Sequence, residues 1–132
     1  MGTKAEVLVL DDESIVCERL KEHLEKSNFL VETFTESQKA IDRLGQKHFD
    51  VVVTDLKMEG PTGLDVLHFI RINAKGTQVI MITGYATIET AREAEFSGVH
   101  AFVSKPFRMK DVGALVKKAA KKARRLRGRS EK

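Results

Sequence analysis

Cysteine is nearly absent from this chain: Cys17 stands alone, so no internal disulfide can close. It lies in a helical pattern between Ile15-Val16 and Leu20, where it reads as a small buried hydrophobe. Long apolar runs are missing as well. None approaches the roughly 20 residues needed to cross a bilayer, which argues against a membrane span. The N-terminus lacks the apolar core of a signal peptide, because Glu6 and the acidic run Asp11-Asp12-Glu13 interrupt it. These two absences make a cytoplasmic location the default expectation. No Gly-x-x-x-x-Gly-Lys phosphate loop occurs, and no internal repeat. The four histidines, His23, His48, His68 and His100, show no metal-ligand spacing and are expected at the surface.

What is present fits one soluble domain. A chain of 132 residues with 42% hydrophobic and 32% charged content can bury a single sizeable core. The net charge of +4 hides a division. Residues 117–132 hold nine Lys or Arg against the single acid Glu131, a net of +8, whereas residues 1–116 are net −4. The pI of about 9.3 therefore belongs to the tail, and it does not argue for nucleic-acid binding by the folded body. Without aromatic interleaving or a recognisable motif, the tail reads as a solvated helix end or linker.

Four short apolar runs organise the body: Val7-Leu8-Val9-Leu10, Val51-Val52-Val53-Thr54, Val79-Ile80-Met81-Ile82 and Ala101-Phe102-Val103. Leu30 to Phe34 supplies a further strand. Helix-patterned segments separate them, the arrangement of a parallel sheet with crossover helices. The first helix begins near Ser14 and turns Ile15, Val16, Leu20 and Leu24 toward the core; others start at Ser37, after Gly63 and near Thr87. The last begins at Met109 or Lys110 and carries Val112, Leu115, Val116, Ala119, Ala120 and Ala123 on one stripe. Beyond Ala123 the only large apolar residue is Leu126, so the domain is drawn as 1–123. Residues 124–132 are expected to be a disordered basic tail or the start of a linker, mattering little to folding.

Each apolar run ends on a chemically distinctive residue: Asp11 and Asp12, Asp55, Thr83 and Lys105. Ligands of an open parallel sheet bind beyond the carboxyl ends of its strands. Three carboxylates converging there repel one another unless a cation lies between them, and an all-oxygen set favours Mg²⁺ or Mn²⁺. The bland alternative is that these acids are solvated or cap the helices that follow.

The stretches Val7 to Glu13, Val53-Thr54-Asp55-Leu56-Lys57-Met58, Ile82-Thr83-Gly84-Tyr85-Ala86 and Ser104-Lys105-Pro106-Phe107 occur in order, each at a strand end. Together they resemble the receiver domain of two-component response regulators, over nearly the whole chain. Within that family, Asp55 to Met58 and Thr83 to Ala91 look most like receivers of sigma-54-dependent transcription activators. The resemblance implies an α/β, flavodoxin-like fold: a doubly wound sheet of five parallel strands in order 2-1-3-4-5, with five helices. It also implies a phosphorylation-activated regulator rather than an enzyme with an external substrate.

By the same resemblance Asp55 is the phosphoacceptor. Asp11, Asp12, Asp55 and the backbone carbonyl of Lys57 bind Mg²⁺ or Mn²⁺, and Lys105 and Thr83 hold phosphoryl oxygens. The Lys105-Pro106 bond is expected to be cis. Thr83 and Phe102 form the switch, unless Phe102 is a core residue in both states. Lys57 and Tyr85 at the rim either tune phosphate lifetime or are plain surface side chains. Glu59 stands where many receivers have proline, which bears on the loop and not on the acceptor.

The implied partners are a sensor histidine kinase or phosphotransfer protein, and a second copy across the face of fourth helix, fifth strand and fifth helix. No direct nucleic-acid binding by the domain and no membrane contact are expected. A phosphohydrolase of the haloacid-dehalogenase kind also uses a strand-end aspartate, Mg²⁺, Thr or Ser, and Lys. It requires Asp-x-Asp on the first strand and a late acid pair, and this chain has neither.

Overall fold

The computed structural model describes residues 4–130, with side chains through residue 128. Strands and helices alternate along the chain: β1 (Glu6–Leu10), α1 (Ser14–Lys26), β2 (Leu30–Phe34), α2 (Ser37–Leu44), β3 (Val51–Asp55), α3 (Gly63–Asn73), β4 (Gln78–Thr83), α4 (Ile88–Phe96), β5 (Ala101–Ser104) and α5 (Met109–Ser130). The strands form one sheet in order β2-β1-β3-β4-β5, every pairing parallel. This is the doubly wound, flavodoxin-like architecture that the receiver resemblance implies.

The central strands are apolar without alternation because both their faces are covered. On one face Val7, Val9, Val53 and Ile80 pack against Cys17, Leu20 and Leu24 of α1 and Val112, Val116 and Ala119 of α5. On the other, Leu8, Leu10, Val52 and Met81 meet Ala40 and Leu44 of α2 and Val66, Leu67 and Ile70 of α3. Register sets the carboxyl edge. Leu10 lies beside Thr54, Asp55 beside Ile82 and Thr83 beside Ser104, so the residues after these positions emerge together.

Gly63, the first residue of α3, has a steric reason for its identity. A Cβ there would overlap the Asp55 carbonyl oxygen and sit 2.6 Å from the Met81 sulfur. Only a residue without a side chain lets α3 begin this close to the end of β3. Thr62 and Asp65 then close a reciprocal capping box over the new helix. Gly113 has a similar cause, since a Cβ would lie 2.8 Å from Nε2 of His23. His23 is accordingly half-buried between α1 and α5, not at the surface as the sequence suggests.

Two other expectations shift. Ile15 is 50% exposed rather than turned inward. The buried face of α1 is set by Cys17, Leu20 and Leu24, and Ile15 lies about 200° around the helix from Cys17. At the other terminus α5 runs unbroken to Ser130, so residues 124–130 are helical, which sets aside disorder there and leaves the linker reading open. Residues 131 and 132 lie outside the described residues. The helix persists because its end finds partners. Arg127 Nη1 lies 3.2 Å from Oδ1 of Asp50, and Leu126 approaches the turn at Gly76.

Candidate functional site

Asp11, Asp12, Asp55, Thr83 and Lys105 meet at the carboxyl edge, carried there by β1, β3, β4 and β5. Asp11 and Thr83 are fully buried, Asp55 nearly so, and Asp12 is exposed. One carboxylate oxygen from each of the three aspartates lies within 4.8 Å of the others. Lys105 Nζ bridges the cluster, 2.9 Å from Asp11 Oδ2, 3.1 Å from Asp55 Oδ2 and 3.1 Å from Glu13 Oε1. The Lys105-Pro106 peptide is cis. The backbone N–H of Lys105 donates to the Thr83 carbonyl at 2.8 Å, which locks β5 to β4 beside the site.

The electrostatics follow from crowding and burial. Burial raises the Asp11 carboxyl above the usual carboxylate range, and the charge of Asp55 adds to this. The Glu13 N–H, which donates to Asp11 Oδ1 at 2.8 Å, and the Lys105 ammonium offset part of the rise. Burial works to lower Lys105, but hydrogen bonds to Asp11, Glu13 and Asp55 outweigh it and hold the ammonium above the ordinary lysine range. Lys105 is therefore a fixed positive charge at any physiological pH.

These residues suit a hard cation. The three carboxylates supply an all-oxygen set, and Asp11 Oδ2 receives no well-aligned hydrogen bond although Lys105 lies beside it. A groove of about 510 Å³ opens over the cluster, lined by Asp12, Glu13, Asp55, Lys57, Tyr85 and Lys105. Lys57 and Tyr85 meet at its rim, with the ammonium 5.0 Å from the ring centroid.

Thr83 Oγ1 accepts the Tyr85 N–H at 3.0 Å, which leaves its own hydroxyl proton available. Phe102 is partly buried and packs with the cluster containing Leu8, Val52 and Met81, outside the groove. The Glu59 side chain is exposed, and its carbonyl accepts from Ser37 Oγ at 3.2 Å. Cys17 is buried near the site, its thiol pushed up to about 11 by burial and by the charge of Asp11. It stays protonated and inert.

Sequence reasoning overlooked two residues. Glu13, the third acid of the Asp11-Asp12-Glu13 run, holds Lys105 from the solvent side. Asp50 is buried at the opposite edge of the sheet, where Oδ2 accepts the Glu6 N–H at 2.9 Å. An acid directly before an all-apolar strand was the available signal for it.

Comparison with known proteins agrees with this geometry. The family model described as "Response regulator receiver domain" matches residues 7–117. Transcriptional regulatory protein FixJ of Bradyrhizobium diazoefficiens is 28% identical over 123 residues, covering 93% of this chain and 60% of that protein. Regulatory protein AtoC of Escherichia coli is 31% identical over 113 residues, covering 86% of this chain and 24% of that protein. This chain thus spans less than two thirds of either relative. The solution structure of the beryllofluoride-activated NtrC4 receiver domain dimer superposes with a TM-score of 0.84 at 30% identity, covering 89% of this chain and 98% of that one.

Proposed function

The chain belongs to the response regulator receiver family, and from that membership we propose that Asp55 accepts a phosphoryl group and thereby switches an output surface. Phosphorylation-activated signalling in two-component systems is the general function of the family. The observation that carries the residue assignment is Asp55 itself: a nearly buried strand-end carboxylate, contacted by Lys105 and opening onto a groove.

An Asp55 carboxylate oxygen attacks the phosphorus of a phosphodonor as the bond to the donor atom breaks, and that bond's electron pair leaves with the donor. The product is an acyl phosphate. Asp11, Asp12, Asp55 and the Lys57 carbonyl would hold a Mg²⁺ or Mn²⁺, which would supply charge neutralisation for the transfer. Lys105 is already in contact with Asp55 and pairs with one phosphoryl oxygen as a point charge. Thr83 gives its hydroxyl proton to another. Lys57 and Tyr85, stacked at the rim, set how freely water reaches the acyl phosphate.

The donor is a sensor histidine kinase or a phosphotransfer protein. Ile15 supports a protein donor: exposed beside the site, it shares a groove with Lys105, Pro106, Phe107 and Met109 that offers apolar contact next to the acceptor. Movement of Thr83 toward the phosphate and repacking of Phe102 carry the change to α4, β5 and α5, where a partner or second copy binds. Residues 124–132 lead on toward an output domain.

Incubation with radiolabelled acetyl phosphate and Mg²⁺ tests the reading. Label should enter the wild-type protein, be lost on chelation or hydroxylamine treatment, and be absent from Asp55→Asn. Wild-type uptake by Asp55→Asn would overturn it.

A further inference from the structure

The strongest feature that the proposed function leaves unused lies at the pole opposite Asp55. There α5 passes the C-terminal end of α1 and the start of β1, and a groove of about 380 Å³ runs between them. Lys4, Lys117, Lys121 and Arg124 line it, and no acidic residue does. The other flank of the helix presents Lys118, Lys122 and Arg125, all exposed. Among the described residues, Lys4, Lys117, Lys118, Lys121 and Lys122 have no carboxylate partner, in contrast to Lys21, Lys26, Lys39 and Lys47 on the body. Burial, Lys122 and Lys118 together hold His100 below the usual histidine range, so the field of this flank reaches the neighbouring strand.

We infer that this pole is a sequence-independent docking surface for the phosphate backbone of duplex nucleic acid. Charge favours that occupant: the groove is lined by basic side chains without an acid and complements a polyanion. Most of these cations are lysines, point charges suited to a phosphate string rather than forks for single carboxylates. Lysine contacts to phosphate position a duplex without carrying sequence information. A lipid surface is disfavoured because Val112, Val116, Ala119, Ala120 and Ala123 are spent inside the core, leaving no apolar face to insert.

The sequence expectation of no nucleic-acid contact read the basic segment 117–132 as a solvated helix end or linker. In the structure Arg127 pairs with Asp50 at the end of the helix, and the cations upstream share one groove with Lys4.

Fluorescence anisotropy of the full chain with a labelled duplex of arbitrary sequence tests this. Binding should weaken with salt at a log–log slope of about −2.7, from ~0.9 per phosphate neutralised by Lys4, Lys117 and Lys121. Lys117→Glu with Lys121→Glu should weaken binding about tenfold or more at low salt. The charge-matched pair Arg92→Glu with Lys110→Glu should change it less than about twofold. Asp55→Asn should bind like wild type, which separates this surface from the phosphorylation reading. Circular dichroism melts establish that each variant is folded; should the α5 pair not fold, Lys4→Glu with Lys118→Glu replaces it with the same expected direction. No duplex binding at low salt, equal loss in both pairs, or preference for anionic vesicles or polyglutamate over duplex would overturn the proposal.

Discussion

Two aspartates bracket β3. Asp50 precedes its first residue, Asp55 is its last, and both are nearly inaccessible to solvent. At Asp50 a backbone N–H from Glu6 and the guanidinium of Arg127 answer the charge, His48 lies 3.9 Å away, and among the described residues Asp50 joins no cluster of three ligating groups. At Asp55 two further aspartates crowd the same edge, one lysine is shared between Asp55, Asp11 and Glu13, and a groove stands open. Burial of an acid is thus no mark of function. The mark is a set of like charges brought together with too few cations, beside space for a ligand.

The contrast is sharpest in paired substitutions. Asp12→Ala removes an exposed carboxylate from the acidic set and should abolish Mg²⁺ binding, read by titration calorimetry, while leaving the melting temperature within the range of surface changes. Undiminished metal affinity would move the site elsewhere. Asp50→Ala should do the reverse. It strands the Glu6 N–H and Arg127, costing about 2 kcal/mol in urea unfolding, with acetyl phosphate labelling at the wild-type rate. Slowed labelling at full stability would break the distinction between the two ends.

A chain ending at Ala123 loses Arg127 and Leu126, the two contacts that fasten the end of α5. The expected cost is about 1–2 kcal/mol, larger than an ordinary surface change because the Asp50 carboxylate is left buried. A cost below ~0.5 kcal/mol would return the tail to the loose segment that its composition suggests.

The smallest effect calibrates the others. Hydrogen bonds from Arg43 hold the Glu32 carboxyl below the usual glutamate range, with help from Lys47. Because the folded value is lowered, the contribution is complete above the unfolded value of about 4.3 and disappears as pH falls through the folded one. All three side chains are about a third exposed, so the contribution stays below ~1 kcal/mol. Glu32→Gln should therefore melt slightly lower than wild type at pH 6, with the gap closing as pH falls through the folded value. A difference that grows toward acid would have the wrong sign.

Much of the functional edge was legible because chemistry and topology coincide there. Val51 to Asp55 reads at once as a buried strand and as the carrier of a terminal acid, and the same holds for Ile82-Thr83. What escaped were contacts made by long side chains across sequence. Glu13 looked like one more acid in a run until Lys105, 92 positions on, was seen to reach it. Asp50 and Arg127 gave no local pattern, since their pairing depends on where α5 ends relative to β3. Ile15 was turned inward in the sequence reading because an apolar residue in a helical pattern was counted without its angle. The basic tail misled for a related reason: charge composition says nothing of whether a helix end is fastened.

The account stands or falls on which carboxylate becomes an acyl phosphate. Borohydride reduces a phosphorylated aspartate to homoserine, and peptide mass spectrometry locates the conversion. After phosphorylation with Mg²⁺, conversion should appear at residue 55 alone and vanish when the metal is chelated. Conversion at Asp11, Asp12 or Asp50, or at residue 55 irrespective of metal, would contradict it.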